Sequence, residues 1–224
     1  NRGIKWSDTS DTHYVKLEPS VIDGLTINGY SGVAFATGSR TNSTWAERAR
    51  FDISGRLMIG TTTEGYSGAD DLTISTSGDT GMTIRSGTSN QGTIAFSDAT
   101  SGADEYRGYI QYLHNGDAFL FGTASTERVR IDSAGRVLIG RTASRMVGGS
   151  TTYAKLQVAG TSQSESSISI VNNENDPKGP FVFFGKTRGG SVGASTIVQN
   201  GDTLGGLSFI GADGNDTNNR TAEI

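Results

Sequence analysis

Two clusters of charge have the spacing to grip an anion. Glu47, Arg48 and Arg50 form one, and Glu127, Arg128 and Arg130 form the other. Arginine forks hold carboxylates and phosphates through paired N–H donors. Yet both clusters stand in the same surroundings. ERARFDISGRLMIG begins at Glu47, and ERVRIDSAGRVLIG begins at Glu127, 80 residues later. A cluster that returns with its flanking strands and turn reads as part of a structural module. The arginines are therefore expected in a charge ladder, paired with Glu47 or Glu127 or facing a neighbouring chain.

The remaining chemistry-bearing residues do not form a constellation. His13 and His114 lie in unrelated polar contexts, which does not suggest a metal site or a catalytic triad. Asp70, Asp71, Asp98, Asp104, Glu105 and Asp117 are acidic. A glycosidase needs two carboxylates about 5–10 Å apart across a sugar, and acidic loops reach that spacing by accident. Asp213-Gly214-Asn215-Asp216 lacks the calcium-loop spacing and its closing Glu. Gly189-Gly190 and Gly205-Gly206 precede no helix, so they cradle no phosphate. The triplets starting at Asn42, Asn215 and Asn219 fit the glycosylation pattern, as chance allows in a chain rich in Asn, Ser and Thr. Trp6, Trp45, Tyr66, Tyr106, Tyr109 and Tyr112 could offer ring faces to a glycan. Their first expectation is burial, within the chain or between chains. No catalytic, cofactor-binding or metal-binding residue is assigned, no cofactor is expected, and the chain reads as a non-enzyme.

The elements that carry these residues are strands. In the second copy Val129 and Ile131 alternate with Arg128 and Arg130, and Val137 and Ile139 alternate with Arg136 and Leu138. A period of two gives a strand with one buried face. Asp132-Ser133-Ala134-Gly135 lies between them as a four-residue hairpin connection. Asp can bond the backbone two residues on, and Gly tolerates positive φ. The first copy places Ala49, Phe51, Leu57 and Ile59 inward around Asp52-Ile53-Ser54-Gly55. Further short strands are expected around Ile4–Asp8, Tyr14–Leu17, Leu25–Ile27 (before the turn pair Asn28-Gly29), Val33–Phe35, Leu72–Ile74, Met82–Ile84 and Ile94–Phe96. Others follow at Tyr106–Leu113, Ala118–Phe121, Leu156–Gly160, Ile168–Val171, Pro180–Gly185 and Leu207–Phe209. Three units result: a partial repeat over 1–60, a second over 61–140 and a truncated third over 141–224.

Composition limits how these strands can be covered. The chain has 224 residues, and Leu, Ile, Val and Phe make up about a fifth of them. Glycine contributes 32 residues and proline 3. That apolar share is near the level at which chains fail to fold alone, although the net charge of −4 is too small for a disordered chain. Too few large side chains are present for a private thick core, so a core shared between chains is expected. Charge of both signs without a basic run argues against nucleic acid. No apolar run approaches the ~20 residues of a membrane helix. Absent cysteine excludes disulfides and thiolate metal sites.

The E-R-x-R-I-D-S-x-G-x-V-x-I-G pattern, carried best by Glu127–Gly140, leads into a small polar loop and a Leu-x-Val-x-Gly strand. It resembles the repeated shaft segments of tailed-bacteriophage tail fibres and tailspikes, those of marine and cyanobacterial phages above all. Glu47–Gly60 departs from it at Phe51 and Ile53. Similar repeats also occur in bacterial surface proteins. The resemblance covers Arg48–Gly160. It implies a homotrimer with strands from three chains wound about one axis. The fold class expected is thus all-β, an elongated repeat array of short strands and hairpins in an intertwined, β-prism- or β-helix-like homotrimer. The resemblance implies a virion location, other phage tail or virion proteins as partners, and contact with a host surface glycan. The alternatives are a polysaccharide-degrading tailspike enzyme and a capsid-mounted fibre. Such fibres often end in a self-cleaving chaperone domain, which nothing here resembles. The intact protein is expected to continue beyond Ile224, with a further Glu-Arg hairpin.

Overall fold

The computed structural model describes residues 14–17, 25–39, 43–147, 153–214, 217 and 219–223. The expected strand at Ile4–Asp8, with Trp6, lies outside them, as do His13, Asn42, Asn215 and Asp216. The chain divides into two units, Asn1–Thr83 and Ile84–Ile224.

The first unit holds β1 (Tyr14–Leu17) and β2 (Leu25–Asn28), paired antiparallel in a two-stranded sheet. It also holds β3 (Val33–Thr37), β4 (Ala46–Phe51), β5 (Leu57–Ile59) and β6 (Leu72–Ile74), which form a four-stranded sheet in that order. Strands β3, β4 and β5 run antiparallel, and β6 joins β5 in parallel.

The second unit repeats this plan and extends it. β7 (Gln91–Phe96) precedes a 3-10 turn at Gly102–Tyr106, followed by β8 (Gly108–Leu113), β9 (Ala118–Thr123), β10 (Thr126–Ile131) and β11 (Val137–Ile139). β12 (Leu156–Val158) pairs with β11 in parallel, and the other neighbours are antiparallel. The sheet order is β12-β11-β10-β9-β8-β7. β9 to β12 correspond to β3 to β6, while β7 and β8 are an addition at one edge. β13 (Ser208–Gly211) and β14 (Asn219–Glu223) form a separate antiparallel pair.

The strong turn residues act as expected, with one refinement. Asp52 N–H donates to Arg56 O at 3.1 Å, and Gly55 N–H to Asp52 O at 3.0 Å. The hairpin therefore closes on the Asp52–Arg56 pair around three residues, with Gly55 at φ +80°. Asp132, Arg136 and Gly135 repeat this at 3.0 and 2.8 Å. Gly60 and Gly140 leave β5 and β11 at φ +75° and +74°. A Cβ on either would lie 2.3 or 2.1 Å from a carbonyl oxygen just past the parallel partner strand, so no other residue fits.

The closed architecture expected from the sequence is not what forms. The described sheets are open, unlike a β-prism or β-helix. A longer connection carrying the 3-10 turn joins β7 to β8, and short hairpins join β8 to β11, so the strands lie side by side as a meander; no described strand returns to pair β7 with β12. A β-helix stacks parallel coils, but here each crossover adds one parallel strand at an edge and stops. Several expected strands also fail to pair. Met82–Ile84, Ile168–Val171 and Pro180–Gly185 have no ladder partner, and Phe183 is 88% exposed. Tyr106 ends the 3-10 turn instead of opening β8.

The covered interior is small. Leu138 is 0% and Met58 2% exposed, at matching central positions of β11 and β5. Ala118 and Leu120 are the other buried apolar residues described. Leu138→Ala should therefore cost about 3 kcal/mol, the usual cost of emptying a buried leucine site. The exposed turn substitution Ser133→Ala should stay within about 0.5 kcal/mol. Urea unfolding of both variants checks this, and equal midpoints would show that Leu138 is not a core residue.

Candidate functional site

The Glu-Arg cluster is built by a misfit in the ladder. On a regular strand, residues three apart point to opposite faces. Glu47 and Arg50 are three apart, yet Arg50 Nε and Nη2 donate to the two oxygens of Glu47 at 2.5 and 2.7 Å. The register explains it. Phe35 pairs with Ala49 and Ala36 with Glu47, so Arg48 is an extra residue. This bulge resets the alternation and puts Glu47 and Arg50 on one face. Arg128 is skipped in the same way between Glu127 and Val129, and Arg130 grips Glu127 with two bonds of 2.8 Å.

The bulged arginines are themselves tied down. Arg48 Nε donates to Thr37 Oγ1 at 2.8 Å, and Arg128 Nε to Thr123 Oγ1 at 3.2 Å. Their carbonyls accept from Gly60 and Gly140 N–H at 2.9 and 3.1 Å. The arginine forks thus face partners in their own chain, and they serve as pins.

A second pin holds each hairpin. Asp52 Oδ1 accepts from Ser54 and Arg56 N–H at 2.9 and 3.0 Å, and its Oδ2 accepts from Arg56 Nε at 2.8 Å. Asp132 does the same with Ala134 and Arg136. The crossover then reaches each fork differently. Asp70 Oδ2 accepts from Arg56 Nη1 at 2.9 Å, whereas the Tyr153 ring lies 4.8 Å from Arg136. Lys155 Nζ adds a bond to Ala134 O.

The crossovers pass over the face that carries Met58 and Leu138. Gln157, buried in β12, accepts from Arg145 N–H at 3.0 Å and donates to Ala154 O at 3.1 Å. Thr73 holds the equivalent place in β6 and accepts from Gly65 N–H at 3.1 Å. Sequence reasoning missed both clamps. The signal was there: one polar residue between two aliphatic ones in Leu72-Thr73-Ile74 and Leu156-Gln157-Val158.

The opposite face has no such cover. Ile94, Ile110, Phe121, Val129, Ile139 and Val158 stand in one cross-strand row. Tyr112, Phe119, Ile131, Val137 and Leu156 stand in the next. The four-stranded sheet has Val33, Phe51, Leu57 and Leu72 in one row and Phe35, Ala49, Ile59 and Ile74 in another. None of these residues carries charge, and none is buried. The aliphatic and aromatic positions expected to face inward do share a face, and in the single chain that face is open.

The other candidates remain scattered. His114 opens the turn after β8, with its ring edge-on to Tyr112, 5.0 Å away. Arg107 stands between Asp98 and Asp104, at 3.8 and 3.1 Å. Asp117 Oδ1 accepts from the Tyr112 hydroxyl at 3.1 Å. Glu105 and Asp71 are exposed. Tyr66 and Trp45 are exposed, while Tyr106 and Tyr109 line one cavity with Gln91, Thr93, Gln111 and Ser125. Gly189-Gly190 and Gly205-Gly206 lie in irregular chain. Among the described residues no group of three His, Asp or Glu side chains converges on a metal position. Nor, among them, is any helix long and apolar enough to cross a membrane. No protein-family model matches the chain, and no curated protein is similar to it in sequence.

The pins carry a pH dependence. The Arg50 guanidinium holds Glu47 below the usual carboxylate range, and the Arg56 guanidinium and backbone N–H do the same for Asp52. A carboxylate with a depressed folded-state pKa stabilises the fold above its unfolded value, and that contribution is lost as the pH falls through the folded one. The hairpin should therefore loosen below about pH 4. Hydrogen-exchange protection of the Ser54 and Arg56 amides should fall there, and Asp52→Asn should flatten the dependence. Protection that stays constant from pH 7 to 3 would refute the pin.

Proposed function

We propose that this chain is a structural protein of a phage virion, the shaft of a tail fibre or spike, working as a homotrimer. The observation that carries the reading is the open apolar face of each repeat. Two adjoining rows of uncharged side chains cross each of the two larger sheets, with the crossover on the other side. Contiguous apolar surface on this scale marks a contact between proteins. Each repeat carries the same two rows, so each can meet its own counterpart in a neighbouring copy. Copies arranged about a common axis, each sheet turning its rows inward, would close that surface. Sheets packed in this way stand about 10 Å apart, a spacing that aliphatic and single aromatic side chains fill.

The work of such a protein is mechanical. The Glu-Arg and Asp-Arg pins stiffen the hairpins, and the repeat lets the same joint be used along a shaft. Its partners would be other copies, the tail or virion proteins at its ends, and a host surface. Three-fold symmetry and the virion setting rest on the resemblance of Arg48–Gly160 to fibre shaft segments, carried best by Glu127–Gly140.

Sedimentation of the full chain at micromolar concentration should give three copies per particle. Phe121→Glu should dissociate it or leave it unfolded, because a charge would enter a shared apolar row. Gold-labelled antibody to the chain should decorate the tails of purified virions. A folded monomer would overturn the reading.

A further inference from the structure

We propose that the cavity between Tyr106 and Tyr109 is a binding site for a neutral saccharide. Gln91 and Thr93 of β7, Tyr109 and Gln111 of β8, Tyr106 and Ser125 line a half-open cleft of about 330 Å³, within the range of small-ligand sites.

Its chemistry is specific in what it includes and omits. No acidic or basic side chain lines it, so it presents no direct ion-pair partner to a charged ligand. The Gln91 amide has no side-chain partner among the described residues, which leaves two donors and an acceptor free. Gln111 Nε2 donates to Thr93 Oγ1 at 3.0 Å. That bond orients both groups and leaves the Thr93 hydroxyl hydrogen, one Gln111 N–H and Gln111 Oε1 available. Burial, and then the nearby Glu127 charge, raise the Tyr109 phenol, so it stays protonated and can donate. Amides and hydroxyls of both senses beside aromatic rings match a ring of vicinal hydroxyls with an apolar C–H face.

The walls are held in place before any ligand arrives. The Tyr109 ring lies against the backbone of Gly122, where a Cβ would come within 2.1 Å of it. Ser125 sits in a two-residue turn with Ala124, at φ +58° and +50°, a left-handed pair made without glycine. Ser125 Oγ donates to Ala103 O at 2.6 Å and Ser125 N–H to Arg107 O at 3.0 Å, so this turn fastens the segment that carries Tyr106. Strained positions persist where surrounding contacts fix them, and such positions cluster at binding sites.

The cavity belongs to the added hairpin. β7 and β8 have no counterpart beside β3, which is a sheet edge in the first unit. Tyr109 and Gln111 point to the side of Leu120 and Leu138, away from the open apolar rows. The site is thus independent of the trimer reading, and association through the apolar face leaves it accessible.

Saturation-transfer NMR on the full chain with maltose, lactose and N,N′-diacetylchitobiose tests the proposal, with 3′-sialyllactose as the charged comparison. At least one neutral sugar should receive saturation, in preference to the charged one. Tyr106→Ala should weaken that binding about tenfold, the scale of one lost aromatic contact. Tyr106→Trp should keep it, and Gln91→Ala should weaken it several-fold. Sedimentation and far-ultraviolet circular dichroism should be unchanged in all three variants, which separates a lost site from a lost assembly. Absence of transfer to every neutral sugar, binding that Tyr106→Ala leaves intact, or preference for the charged sugar would overturn the proposal.

Discussion

A thin sheet has two faces, and each repeat of this chain can cover one. The cover is the crossover that leads into the parallel fourth strand. It is anchored through a single polar side chain in that strand, Thr73 in one repeat and Gln157 in the other. Beneath it, Met58 and Leu138 occupy the only wholly enclosed side-chain positions among the described residues. Everything else follows from that economy. A segment that covers one face cannot cover the other, and the described residues, with few large aliphatic side chains, supply no second layer there. The apolar rows are left for something outside the chain.

The bulge at Arg48 and Arg128 links this constraint to charge. Without the extra residue, Glu47 and Arg50 would point to opposite faces, and one charge would enter the apolar rows. With it, both charges lie beside Met58 or Leu138 on the covered side, where each satisfies the other. A paired arginine and glutamate in a half-covered place add little net stability when exposed, and removing one partner is costly when buried. Their contribution is better understood as direction. They make one face intolerant of apolar packing against another sheet and leave the other face free of charge.

Much of this was legible in the residues. Alternation at Val129, Ile131, Val137 and Ile139 gave the strands and the common face, and the Asp and Gly of each turn gave the hairpins. The pairing of Arg50 with Glu47 was an open possibility, but the bulge that permits it was not visible, because periodicity alone does not report a skipped partner. The open architecture was also hidden. Side-chain alternation is the same in an open meander and a closed prism; what separates them is whether the last strand pairs with the first. Met82–Ile84 and Phe181–Phe184 have strand-like composition but no ladder partner among the described residues, and composition cannot supply one. The cavity at Tyr106 escaped because Gln91, Thr93 and Ser125 are ordinary polar residues until the 3-10 turn brings the tyrosine over them.

The two sheets also show how a repeat can acquire a local feature without losing its joint. β9 to β12 keep the bulge, the Glu-Arg and Asp-Arg pins and a polar crossover clamp of β3 to β6, although Thr73 gives way to Gln157 and Asp70 to Tyr153. The added β7–β8 hairpin extends the sheet from β9, at the end opposite the parallel strand β12. It extends the apolar rows with Ile94, Ile110 and Tyr112, so the surface that calls for a partner grows in step. On the opposite side it brings amides, hydroxyls and tyrosines, which require no partner to remain in water. An edge strand thus enlarges the association surface with one set of alternate residues and gives chemistry to the other set, and the period of two keeps the two roles from interfering.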